Sequence, residues 1–113
     1  MNAPVSALVV DDSRMIRVSV SQLLRKVSST VVPFAVSSGE EALEEVRAYG
    51  PGYYDVALVD YNMGADGMDG AATVAELLKL DPALRCIGAE VTYTIRSHRP
   101  LIRDLLRGHR PAA

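Results

Sequence analysis

Three carboxylates set the chemistry open to this chain. Asp11 and Asp12 stand side by side after the apolar run Ala7-Leu8-Val9-Val10, and Asp60 follows a second run, Val56-Ala57-Leu58-Val59. Runs this short, continuous and rich in Val and Leu read as strands buried on both faces of a parallel sheet. As neighbours in one sheet they bring all three carboxylates out at the carboxyl edge, where open α/β sheets hold ligands. Crowded like charges cannot all stay ionised cheaply. A divalent cation relieves the repulsion, and an all-oxygen donor set favours Mg²⁺.

The elements that must position these residues alternate, strand then helix, which predicts a doubly wound α/β fold with a parallel sheet. Strands are expected at residues 6–10, 31–36, 55–59 and 86–92. The first helix starts at Ser13 and puts Ile16, Val20, Leu23, Leu24 and Val27 on one face. Ser38 and Glu41 form a capping-box pattern for a second helix that runs to about Ala48, buries Ala42, Leu43 and Val46, and stops at Gly50-Pro51-Gly52. A glycine-rich loop over residues 62–70 leads into a third helix expected to bury Val74, Leu77 and Leu78 and to break at Asp81-Pro82. Residues 99–107 read as a last helix with Leu101, Ile102, Leu105 and Leu106 as its apolar face. Pro33 cannot donate to a ladder, so the second strand belongs at a sheet edge. Right-handed crossovers with helices on both faces then give the strand order 2-1-3-4, with a crevice between strands one and three.

Composition sets the outer limits. The 113 residues, 49% hydrophobic and 23% charged, suit one small domain spanning 1–113. No apolar run approaches the roughly 20 residues a membrane helix needs. The N-terminus carries no signal-like segment, so a cytoplasmic location is the default expectation. The lone Cys86 reads as a buried strand residue. Net charge is −2, split as −6 over residues 1–84 and +4 over residues 85–113. The basic end reads as a solvated arginine face; nucleic-acid binding, its alternative, predicts steep salt dependence. His98 and His109 have no partner pattern and read as surface residues. Tyr53 and Tyr54 read as packing.

The residues Val9-Val10-Asp11-Asp12-Ser13-Arg14-Met15-Ile16-Arg17, then Leu58-Val59-Asp60-Tyr61-Asn62-Met63 and Met68-Asp69-Gly70, resemble a response-regulator receiver domain of the stand-alone chemotaxis type. The resemblance covers about residues 5–92 and implies a flavodoxin-like fold. It implies that Asp60 is the phosphoacceptor, with Asp12 binding Mg²⁺ directly and Asp11 largely through water. Asn62 would offer its backbone carbonyl to the same ion. Thr92 would be the switch hydroxyl, with Glu90 or Thr94 in its place if the register shifts. The implied partners are a histidine kinase or histidine phosphotransfer protein, which would dock partly on the first helix, and a downstream protein target. The implied role is signalling rather than enzymatic.

Three departures qualify the resemblance. Gly64 stands where the family has proline, and the loop is about two residues longer, so it is expected to be more mobile. The family's strand-five lysine has no lysine match, because Lys26 and Lys79 are the only lysines and sit in other elements. The fifth strand and helix are apparently missing, read as a C-terminal truncation; the alternative is an internal deletion that makes Arg99-Pro100-Leu101 the family's lysine-proline step. Truncation would leave strand four an open edge and helix one short of a neighbour, which points to a homodimer completing the sheet, with the terminal helix swapped.

Other readings are a degenerate receiver acting as a phosphorylation-independent interaction module, and an aspartate-nucleophile phosphatase. Asn62 stands where the phosphatase needs its second acid. In the plainest reading, Asp12 or Ser13 only caps a helix and Asp60 only satisfies loop amides.

Overall fold

In a computed structural model, the apolar runs and amphipathic stretches form β1 (Val5–Val10), α1 (Arg14–Val27), β2 (Val31–Val36), α2 (Gly39–Tyr49), β3 (Val56–Val59), α3 (Gly70–Leu80) and β4 (Arg85–Ile87). The structure describes residues 4–65, 67–88 and 102–103. All strand pairs are parallel and the order is β2-β1-β3-β4, as the sequence predicts.

Alternation along the strands divides the core in two. Val5, Ala7 and Val9 of β1 and Val56 and Leu58 of β3 join Val20, Leu24 and Val27 of α1 on one face. Leu8, Val10, Ala57 and Val59 point the other way, against α2, Leu77 of α3 and Tyr54. Both faces are buried, so the strands have no polar side, which explains their continuous apolar reading. Leu24 is fully buried; truncating such a residue to alanine costs about 2–5 kcal/mol.

Pro33 lies on the edge strand, and the ladder shows how it is tolerated. The carbonyls of Thr30 and Val36 accept from Val5 and Asp11 at 3.0 and 3.2 Å. Even-numbered β2 residues therefore face β1 and odd-numbered ones face outward. The N–H that Pro33 lacks would have pointed away from the sheet, so no ladder bond is lost.

Local chemistry sets the helix ends. Ser13, Ser38 and Asp69 cap α1, α2 and α3 by accepting from Ile16, Glu41 and Ala72. The predicted box at α2 is only half formed: the Glu41 carboxylate accepts from the Ser37 hydroxyl. Gly50 and Gly52 take positive φ in the turn that ends α2.

Four expectations change. Leu78 is exposed; Thr73 takes the inward place on α3, its hydroxyl donating to the Asp69 carbonyl at 2.7 Å. Tyr53 packs against Tyr49 and Tyr54 but stays about half exposed, so that only Tyr54 is buried, donating to Glu45 at 2.8 Å. Cys86 is half-buried, and burial pushes its thiol up to about 11. Helix α1 keeps a neighbour: Ile102, 1% exposed, packs within its own chain beside Val20 and Leu24.

Of strand four, Arg85–Ile87 is observed; residues 89–92 lie outside the described residues, as do His98, His109 and most of the predicted last helix. Among the described residues, no helix is long and apolar enough to cross a membrane.

Candidate functional site

Register brings the carboxylates together. Val10 of β1 pairs with Val59 of β3, so Asp11 and Asp60 leave adjacent strands at the same height. The Asp60 N–H donates to the Val10 carbonyl at 3.0 Å, which continues the ladder one step past the strands. Oxygens of Asp11, Asp12 and Asp60 all lie within 4.8 Å of one another. The strands thus bring together the three residues singled out from sequence.

Two matched turns hold two of these side chains. The Ser13 N–H donates to Asp11 Oδ1 and the Asn62 N–H to Asp60 Oδ1, each at 2.9 Å. Both are Asx turns, in which a carboxylate accepts from the amide two residues on. Each leaves a second carboxylate oxygen for other partners. The plain reading is therefore correct as far as it goes: Ser13 is a cap and Asp60 does satisfy a loop amide. Neither bond accounts for three acids in one place.

Electrostatics mark the strain. Asp11 is 5% exposed, and its pKa is raised from 3.8 to about 6. Burial is the largest cause; the Ser13 amide opposes it, and the charges of Asp60 and Asp12 add to the rise. Asp12 is exposed and Asp60 half-buried, so the three range from core to solvent.

This donor set fits a hard divalent ion. Mg²⁺ takes oxygens at about 2.1 Å, which places neighbouring ligands about 3 Å apart and opposite ones about 4.2 Å apart. A cluster within 4.8 Å reaches that geometry by small side-chain movements.

The sequence reading missed two contributors, Arg17 and Glu40. Arg17 donates from Nη1 to the Asp11 carbonyl at 2.9 Å and ties α1 to the end of β1. Glu40 accepts from the Met68 N–H at 3.4 Å, and with Asp12, Met63 and Gly64 it lines a cavity of about 250 Å³ beside the trio. Gly64 has φ +97° and lies against Met68, whose carbonyl would stand 2.5 Å from any added Cβ. The glycine that replaces proline is thus required by a close approach, and its carbonyl accepts from the Gly67 N–H at 3.3 Å. A six-residue gap separates Arg17 from Asp11 and 28 residues separate Glu40 from Met68, so no local pattern announced either. Thr92 lies outside the described residues.

The family profile described as "Response regulator receiver domain" matches residues 7–103. The chain belongs to that family. A protein-glutamate methylesterase/protein-glutamine glutaminase of Natronomonas pharaonis is 34% identical to this receiver over 99 residues, covering 81% of this chain and 26% of that protein. The nitrate/nitrite response regulator protein NarL of Escherichia coli is 29% identical, covering 93% and 45%. Among solved structures, the Vibrio cholerae chemotaxis protein CheY4 matches with a TM-score of 0.58 and 30% identity, covering 68% of this chain and 58% of that one. This receiver thus spans about a quarter to under half of those two curated relatives. It is a signalling domain of the two-component response-regulator type, with the parallel flavodoxin-like fold of its structural neighbours.

Proposed function

We propose that this chain, as a single receiver unit over residues 1–113 in the cytoplasm, accepts a phosphoryl group on Asp60 from a histidine kinase or histidine phosphotransfer protein and signals through contacts with a downstream protein. The observation that carries the reading is the convergence of Asp11, Asp12 and Asp60 at one end of adjacent strands. The family membership of the chain supports it.

In the proposed reaction an Asp60 carboxylate oxygen attacks the donor phosphorus in line with the P–N bond. A C–O–P bond forms, the P–N bond breaks, and the imidazole leaves with the electron pair and gains a proton. The Asn62 amide holds Asp60 Oδ1 and leaves Oδ2 for attack. Asp11, Asp12 and Asp60 would hold Mg²⁺, with the Asn62 backbone carbonyl as a further ligand. When bound, the ion supplies charge neutralisation between carboxylate and phosphoryl group, two anions that otherwise repel. The product carries about two negative charges at the edge of the sheet, roughly one more than the carboxylate it replaces. Thr92 is the proposed hydroxyl that answers them, and the movement that follows is the signal.

Lys26 and Lys79 end α1 and α3, at the far end of the sheet, and both are exposed. Neither takes the place of the family's strand-five lysine, which keeps the interaction-module reading as the second one.

One experiment separates the two. The protein is incubated with a small-molecule acyl phosphate and Mg²⁺ and its intact mass measured. A gain of one phosphoryl group that disappears in Asp60→Asn and on chelation supports the phosphoacceptor. No gain, beside a complete receiver that labels under the same conditions, overturns it in favour of the interaction module.

A further inference from the structure

The β2 edge has an unusual distribution of charge and apolar surface. Eight large apolar or aromatic side chains are exposed among the described residues. Five of them, Val18, Val32, Phe34, Tyr49 and Tyr53, line the grooves on the two sides of this edge. An apolar band concentrated on one side of a small domain marks a protein contact surface.

The two helices that flank this edge carry opposite charge. Helix α1 has Arg14, Arg17, Arg25 and Lys26 and no acid; α2 has Glu40, Glu41, Glu44 and Glu45 against Arg47 alone. The charges also face the edge. Arg14, Arg17, Val18, Ser21, Gln22 and Arg25 form one stripe at helical spacing, and they border a groove of about 440 Å³ against Pro33, Phe34 and Ala35. On the other side of the sheet, Glu45 and Tyr49 of α2 border a second groove against Val32, Phe34 and Tyr53. Glu41 lies one turn above them on the same stripe. Among the described residues, the one ion pair is Glu76–Lys79 on α3.

We infer that the β2 edge is a self-association surface whose partner is a second copy of this chain. A surface basic on one flank, acidic on the other and apolar between is complementary to itself under a two-fold axis. An axis along the edge, parallel to the strands, turns the second copy over. The α1 of each copy then lies beside the α2 of the other. Both helices run from the carboxyl edge towards the opposite end of the sheet, so like heights meet. Arg14 comes level with Glu41, and Arg25 with the stacked rings of Tyr49 and Tyr53, one turn beyond Glu45; the ring centroids are 4.3 Å apart. An arginine on such rings gains a cation–π contact as well as charge pairing. Pro33 removes an outward donor, so side chains make this contact and the sheet is not continued through it. The surface is distinct from the β4 side of the sheet, and its partner does not depend on phosphorylation of Asp60.

Sedimentation equilibrium on the full chain tests this. One variant carries Arg14→Glu and Arg25→Glu, making both flanks acidic; the other carries Glu41→Arg and Glu45→Arg, making both basic. The wild-type protein is expected to dimerise, more weakly as salt is raised. Each variant alone is expected to dimerise at least roughly tenfold more weakly. An equal mixture of the two is expected to recover association, because every apposed flank is again opposite in sign. Circular dichroism checks that each variant is folded, and Phe34→Glu, at a half-exposed edge position, provides an independent disruption. A wild-type chain that stays monomeric at its highest soluble concentration overturns the inference. So does a dimer that all three variants leave intact, or a mixture of folded variants that stays monomeric.

Discussion

Asp11 and Asp81 are nearly equal in burial, at 5% and 4% exposed, and opposite in circumstance. Asp81 lies at the end of α3, where Oδ1 accepts from the Ala83 N–H at 3.2 Å and Oδ2 from the Gly52 N–H at 3.0 Å. It ties the turn after α2 to the turn after α3. Asp55, at the same end of the sheet, accepts from the Ser6 N–H at 2.9 Å. Asp11 has one amide, from Ser13, and two further carboxylates within 4.8 Å. The comparison separates two uses of a buried acid. Donors on both oxygens make a structural clamp, whereas one donor and like charges nearby make a group that could accept a proton or a cation. Burial alone does not distinguish them; the neighbours do.

The largest effect should come from breaking the clamp. Asp81→Ala leaves two amides in the turns without their acceptor and should cost about 2–4 kcal/mol, read as a lower urea midpoint with an unchanged slope. The mirror change at the crowded end should act the other way. Asp11→Asn can still accept from Ser13 and removes one of three repelling charges. In metal-free buffer near pH 7 it should be neutral or stabilising, by up to about 2 kcal/mol once solvent screening is allowed for. Loss of stability comparable to Asp81→Ala would make Asp11 a clamp as well.

The same contrast should appear as a pH dependence. Asp11 binds its proton more tightly folded than unfolded, because its pKa is raised from 3.8 to about 6. Between those values the native state holds the extra proton, so this group's contribution falls as pH rises through the window and is constant above it. Wild type compared with Asp11→Asn in metal-free buffer should show a stability difference that grows from about pH 4 to pH 6 and then levels off. A smaller effect sharpens the local picture. Ser38→Ala removes the α2 cap, which accepts from the Glu41 N–H at 3.1 Å, and should cost about 1 kcal/mol. It lies beside the cavity that Asp12 lines, yet it should leave metal affinity unchanged.

These two kinds of acid also show what could be read in the sequence. The trio was legible because each member ends or follows a continuous apolar run, and parallel strands bring run ends together. Pro33 on an edge strand and the order 2-1-3-4 followed from the same pattern. The clamps were not legible: Gly52 lies 29 residues from Asp81 and Ser6 lies 49 from Asp55, so nothing local ties an acid to its amide. Asp81 instead read only as a helix breaker. The error at Leu78 has a similar cause. A hydroxyl bonded to its own helix lets Thr73 enter the core, which a hydrophobic pattern does not count. Tyr53 does pack, against the rings of Tyr49 and Tyr54 at 4.3 and 4.9 Å, but it does so at the surface, which the sequence did not reveal.

The crowded acids should take up a cation that the clamped ones do not need. Titration calorimetry with Mg²⁺ on the wild-type chain, Asp11→Asn and Asp81→Asn measures this directly. Wild type should bind one ion at pH 7, with affinity falling as pH drops below about 6. Affinity should be weakened at least roughly tenfold in Asp11→Asn and unchanged in folded Asp81→Asn. Binding absent from wild type, or undiminished in Asp11→Asn, would contradict a cation site at the crowded acids.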